Sequence, residues 1–103
     1  MSNPRFRPRN YVQGPNAFGG YSEVDWVVAR SDDEADRLMA AQMQDRAARQ
    51  IRWIAVRKYG SVRAYADAHG LSYDRLSKLL RGETLMRLED LAQADRLLGD
   101  IIE

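Results

Sequence analysis

The segment Val62-Arg63-Ala64-Tyr65-Ala66-Asp67-Ala68-His69-Gly70-Leu71-Ser72-Tyr73-Asp74-Arg75-Leu76-Ser77-Lys78-Leu79-Leu80-Arg81 decides the fold. It reads as two short helices joined by a tight turn. Ser61 stands where it caps the first helix, over Val62 to His69, and Gly70 ends it. Ser72 caps the second, which runs to Arg81 before Gly82, with Asp74 placed in its first turn. Two such helices pack at a steep angle only where the crossing residue is small and the turn tolerates positive φ. Ala66 and Gly70 supply those two features, and Tyr65, Leu71, Leu76 and Leu79 fill the wedge between the helices.

Working upstream, Ser31-Asp32-Asp33-Glu34 has the spacing of a capping box, with three acids at the positive end of the helix dipole. Ala35, Leu38, Met39, Met43, Ala47, Ile51, Ile54 and Ala55 then recur mostly three or four apart, as one core-facing stripe. The spacing predicts a helix from Asp32 to Tyr59, stopped by Gly60. It is long for a globular domain, so it reads either as two helices with a bend near Asp45 or as one that projects and pairs with another subunit. Downstream, Arg87 to Leu98 reads as a last helix, with Leu88, Leu91, Ala92, Ala94, Leu97 and Leu98 as its apolar side.

Residues 1–22 carry all three prolines and three of the seven glycines, and have neither a helical nor a strand period. Val24, Trp26 and Val28 alternate at period two, as in a short extended segment with no partner legible in the sequence. The expected organisation is an N-terminal arm or extension over 1–31 and a helix-turn-helix domain over 32–103. The expected fold class is all-α, with four to five helices, a long first helix and an irregular N-terminal extension.

Composition narrows the chemistry. The 103 residues include no cysteine, which removes disulfides, thiolate metal sites and a cysteine nucleophile. There is no apolar run long enough for a membrane span and no apolar stretch behind Met1 to Arg9 to form a secretory signal, so the expected address is cytoplasmic. No phosphate-cradling glycine loop, metal-spaced histidine cluster or nucleophile–base pair is present; His69, the one histidine, has no partner for catalysis. The expectation is a protein that is not an enzyme and uses no metal or cofactor. The net charge of +1 conceals a strong segregation: +2 over 1–31, −4 over 32–45, +7 over 46–81 and −4 over 82–103. A basic block of that size is the footprint of a face meeting a polyanion, and on charge alone it equally fits a solvated basic face.

The small residue at 66, the glycine at 70 and the hydrophobic register at 71, 76 and 79 resemble the helix-turn-helix of the lambda repressor and Cro-like family, also called the xenobiotic-response-element type. Ile51 to Ala66 is similar to that family's first helix leading into its second, and Leu88 to Gly99 to its final helices, so the resemblance covers roughly Ile51 to Ile102. His69 stands where the family usually has an aliphatic residue, and Gly82 to Asp90 is short, compressing the usual fourth helix towards a loop. The resemblance implies that the helix from Ser72 to Arg81 enters the major groove, with Ser72, Tyr73, Asp74, Ser77, Lys78 and Arg81 on its reading face. Lys78 and Arg81 suit guanine O6 and N7 or phosphate, Ser77 several bases, and Tyr73 a thymine methyl or phosphate. Asp74 either accepts from cytosine N4, orients Arg75 or Lys78, or simply caps its helix. Ser61 and Arg63 are placed for backbone phosphates. Arg5, Arg7 and Arg9 read either as a solvated tail or as an arm for the minor groove.

The expected function is therefore a sequence-specific DNA-binding transcriptional regulator, a dimeric repressor of phage or mobile-element type whose partner is double-stranded DNA. A homodimer is expected because one short reading helix supplies little specificity. Two other readings stand beside it. One is an antitoxin that binds DNA and holds a toxin partner through Met1 to Arg30, using Phe6, Tyr11, Phe18, Tyr21 and Trp26 as exposed aromatics, within a candidate protein-partner surface over residues 1–45. The other is a structural or packaging protein that uses the same fold for protein contact.

Overall fold

In the computed structural model, residues 6–102 are described. Four α-helices follow one another: α1 Asp32–Tyr59, α2 Val62–Ala68, α3 Tyr73–Leu80 and α4 Leu88–Leu98. An extension precedes them, with short 3-10 turns at Pro8–Tyr11 and Pro15–Ala17. The described residues contain no strand, and the chain is all-α. No helix among them is long and apolar enough to cross a membrane.

Local chemistry sets the helix ends. Ser31 Oγ accepts the Glu34 N–H at 3.1 Å, while the Glu34 carboxylate accepts the Arg30 N–H at 2.7 Å, one residue before the cap itself. α1 then runs unbroken for 28 residues to the left-handed Gly60. At about 1.5 Å per residue it is roughly 42 Å long, matching the 41 Å long axis of the molecule. There is no break at Asp45, because the side chain that could compete with the helix backbone is committed elsewhere.

That commitment changes which face of α1 is the core. Ala41, Ala47, Ala48, Ile51, Ile54 and Ala55 are buried, as are Gln44 and Asp45, whereas Met39 and Met43 are 56% and 55% exposed. The stripe expectation for Ala35, Met39 and Met43 is thus corrected. The middle of α1, from Ala41 to Arg52, packs against peptide backbone, and backbone demands small residues and hydrogen-bonding groups. Gln44 Nε2 donates to the carbonyls of Leu79 and Thr84, both at 2.9 Å, and its Oε1 accepts the Met86 N–H at 2.7 Å. Asp45 Oδ1 accepts the Gly19 N–H at 2.7 Å. Arg49 donates to Asp45 Oδ2 at 2.8 Å and to the Gly20 carbonyl at 2.9 Å, and Arg52 donates to the Gly19 carbonyl at 3.0 Å.

The extension is docked along this face. Val12 and Phe18 belong to the same buried cluster as Ile51, Tyr65, Leu80 and Leu98. The partner that the Val24–Val28 segment lacked in the sequence is Tyr11–Gln13. Val12 and Trp26 form an antiparallel bridge, flanked by hydrogen bonds from Gln13 N–H to the Asp25 carbonyl (2.8 Å) and from Val27 N–H to the Tyr11 carbonyl (2.9 Å). Trp26 meets Phe18 edge-on at 6.4 Å, and Phe6 meets Tyr11 at 5.6 Å. Of the five aromatics expected to be exposed for a toxin, only Tyr21 stands out into solvent, at 68%. Packing explains the correction: full burial of a side chain as large as Phe18 contributes about 1.5–3 kcal/mol, which favours docking.

Candidate nucleic-acid interface

Two serines and one glycine build the α2–α3 unit. Ser61 Oγ accepts the Ala64 N–H at 2.9 Å, and Ser72 Oγ accepts the Arg75 N–H at 3.2 Å. Between them Gly70 adopts φ +66°, and a β-carbon there would meet no atom within 4 Å. The glycine is needed for its backbone angle alone. Leu71 N–H then donates to the Ala66 carbonyl at 2.9 Å, and Ala66 is fully buried at the crossing.

α3 is held from below by leucines. Leu79 and Leu80 are 3% and 1% exposed, while Leu76 and Leu71 are half-buried against the same core. Leu80, outside the pair of Leu76 and Leu79 expected from the hydrophobic spacing, is the most deeply buried of the three. The deeper contact falls at Leu80 because the extension covers that end of α3: Gly19 comes so close that a β-carbon on it would overlap the Leu80 carbonyl oxygen.

The opposite face is polar. Asp74, Lys78 and Arg81 are exposed on it, and Ser77 is half-buried on the flank. The capping Ser72 and Tyr73 are exposed at the N-terminal edge, on the leucine side of that face. Asp74 pairs with Lys78 one turn later at 3.2 Å, so of the roles open to Asp74 the contact made is the one with Lys78. Arg81 bonds to Glu83 at 2.7 Å. Asp74 is solvent-exposed, and an ion pair of that kind contributes only about 0–1 kcal/mol, so a phosphate or base can replace it cheaply. Glu83 is half-buried and shared with Arg9, which holds Arg81 more firmly. Arg63, at the start of α2, lies 5.0 Å over the Tyr73 ring, joining the N-terminal ends of the two helices into one surface with Ser61.

Other groups fall outside this face. Arg75 reaches away from it to Asp90 on α4, in a two-pronged bond of 2.8 and 3.1 Å. Asp90 also accepts the Arg87 N–H at 2.8 Å, capping α4. Partial burial would raise the Asp90 carboxyl, but the Arg75 and Arg87 hydrogen bonds outweigh it and hold the group below the usual carboxylate range. The same bond to Asp90 raises Arg75. Below this brace lies a cleft of about 230 Å³ lined by Leu71, Leu76, Met86 and Gln93 among others. His69 is exposed and shares a 2.8 Å hydrogen bond with the Tyr59 hydroxyl. Tyr65, packed beside both rings, has its hydroxyl pKa raised, chiefly by burial.

The extension brings Arg9 to the C-terminal end of α3, beside Glu83. The Arg9 N–H donates to the Gly82 carbonyl at 3.0 Å, and its guanidinium lies 3.3 Å from Glu83, the carboxylate that also binds Arg81. Arg7 is exposed beside it, and Arg5 lies outside the described residues. Glu83 was not singled out in the sequence, although its place two residues after Arg81 is a signal for such a pair. Among the described residues no group of three His, Cys, Asp or Glu side chains could hold a metal ion. Compared with protein-family models, curated proteins and solved structures, the chain gives no match.

Proposed function

We propose that this chain is a sequence-specific DNA-binding regulator, a homodimeric repressor of the phage or mobile-element kind that lays α3 in the major groove. The observation that carries the reading is the two-sidedness of α3. Leu76, Leu79 and Leu80 fix it to the body, while Asp74, Lys78 and Arg81 stand in solvent on the other side, with Tyr73 at the edge between the two. On this reading Lys78 and Arg81 bond to base edges or phosphate, and Ser61 and Arg63 to the phosphates that set register. Arg7 extends the cationic surface past the C-terminal end of α3, towards the flanking backbone or minor groove, while Arg9 is engaged by Glu83 and Asn16 and would join it only by releasing them. Repression follows from occupancy of two half-sites about one helical turn apart.

The test is selection of bound sequences from a random duplex library, followed by affinity against salt. A palindromic consensus with steep loss of affinity between about 50 and 200 mM salt is the expected outcome for a protein contacting several phosphates. No affinity for any duplex at low salt would sink the reading and move weight to a protein-contact role.

A further inference from the structure

The face of α1 turned away from the core carries a second regular pattern. Asp36, Met39, Met43, Arg46, Gln50 and Trp53 follow one another at alternating steps of three and four. Five of the six are exposed, and Gln50 is half-buried. At 100° per residue this seam lies roughly opposite the buried Ala41, Ala48 and Ala55. A 3.5-residue period maintained along a single helix is what a partner helix reads. Trp53 is 48% exposed, with the Arg57 guanidinium 4.4 Å over its ring. Met39 and Met43 are not covered.

The charges say what covers them. Among the described residues neither Asp36 nor Arg46 takes part in an ion pair. A second α1 laid parallel in register would set Asp36 on Asp36 and Arg46 on Arg46. Laid antiparallel, it sets Asp36 against Arg46 and Met39 against Met43, each twice about a two-fold axis. We infer that α1 pairs antiparallel with the α1 of a second copy of this chain, with the two methionines at the centre and the Asp36–Arg46 pairs flanking them. Such an interface is isologous and closes on itself, so it ends at a dimer. This deepens the homodimer of the proposed function by naming the surface and its register.

The test uses DNA-free protein. The native chain contains no cysteine, so introduced thiols report only the designed contact. Met39→Cys mixed with Met43→Cys is expected to give disulfide-linked dimers faster than either variant alone, and far faster than the exposed α4 control Leu88→Cys. In sedimentation velocity the native chain is expected at dimer mass. Asp36→Arg is expected to weaken the dimer by about tenfold or more, since like charges then face each other, and Asp36→Arg with Arg46→Asp to restore it to within a few-fold. Monomer mass across the accessible concentrations, faster linking of Met39→Cys to itself, or no rescue by the double reversal would overturn the pairing. Duplex affinity is read separately. A stable dimer that binds no duplex leaves the seam standing and removes the DNA reading, and a monomer that binds duplexes does the reverse.

Discussion

The buried carboxylate of Asp45 on α1 accepts the backbone N–H of Gly19 at 2.7 Å, tying the extension to the long helix across 26 residues of sequence. The same carboxylate takes the Arg49 guanidinium, which in turn donates to the Gly20 and Ala17 carbonyls. One acid therefore organises an N–H, a cation and, through the cation, two carbonyls. Removing it leaves Arg49 half-buried without its charge partner and strands the Gly19 N–H. Asp45→Ala is expected to lower stability by about 2–4 kcal/mol in urea unfolding. A loss under about 0.5 kcal/mol, the range of ordinary surface substitutions, would mean that the extension is not clamped as described.

Gly19 and Gly70 share nearly the same backbone angle, φ +68° and +66°, yet their surroundings differ. At Gly70 an added β-carbon has open space, so Gly70→Ala should cost only the left-handed strain, about 1–2 kcal/mol. At Gly19 it would overlap the Leu80 carbonyl oxygen and press on Ala48 Cβ at 3.1 Å. Backbone on the far side of α3 cannot yield without moving the helix. Gly19→Ala should therefore destabilise more than Gly70→Ala and release the extension to limited proteolysis. Equal melting temperatures for the two variants would contradict that packing.

The two faces of α3 should separate cleanly under mutation. Lys78→Ala removes an exposed charge whose partner Asp74 is itself exposed, so duplex affinity should fall while the melting temperature stays nearly unchanged. Arg81→Ala should lower affinity too, with a small loss of stability because half-buried Glu83 keeps only Arg9. Leu80→Ala should cost about 2–5 kcal/mol, as for other fully buried leucines, and Leu76→Ala less, because Leu76 is only half-buried. The reverse order of the two leucines would show that α3 is rotated from the register described here.

What could be read in the sequence was what short range determines. Ser31, Ser61 and Ser72 announced three helix starts, and Gly60 and Gly70 two stops, because caps and left-handed turns are decided by neighbouring atoms. The outward set of Asp74, Lys78 and Arg81 was legible for the same reason: once leucines fix the inner side of a helix, its period fixes the outer, and that period puts Tyr73 at the edge, one heptad before Leu80. Met39 and Met43 misled, since a hydrophobic period gives a face but not its direction, and the inner face of early α1 is made of Ala41, Gln44 and Asp45 pressed against backbone. The Arg75–Asp90 and Arg9–Glu83 pairs were invisible for a different reason. Each joins segments far apart in sequence, and their residue types are common on any solvated surface.

The Arg75–Asp90 brace should give the fold a sensitivity to acid. The Asp90 carboxyl is held below its usual value when folded. A depressed folded value means that the unfolded chain binds the proton more readily, so the brace contributes stability above the unfolded carboxyl value of about 3.9 and loses it as pH falls through the lower folded value. α3 is tied to α4 by this bond, so its loss loosens the support of the proposed reading helix before the leucine contacts are touched. Urea midpoints of the native chain and Asp90→Asn should differ most between neutral pH and about pH 5, and converge as pH falls below about 3. An Asp90→Asn midpoint that tracks the native one throughout that range would show that the brace carries no stability, and α3 would then be held by Leu76, Leu79 and Leu80 alone.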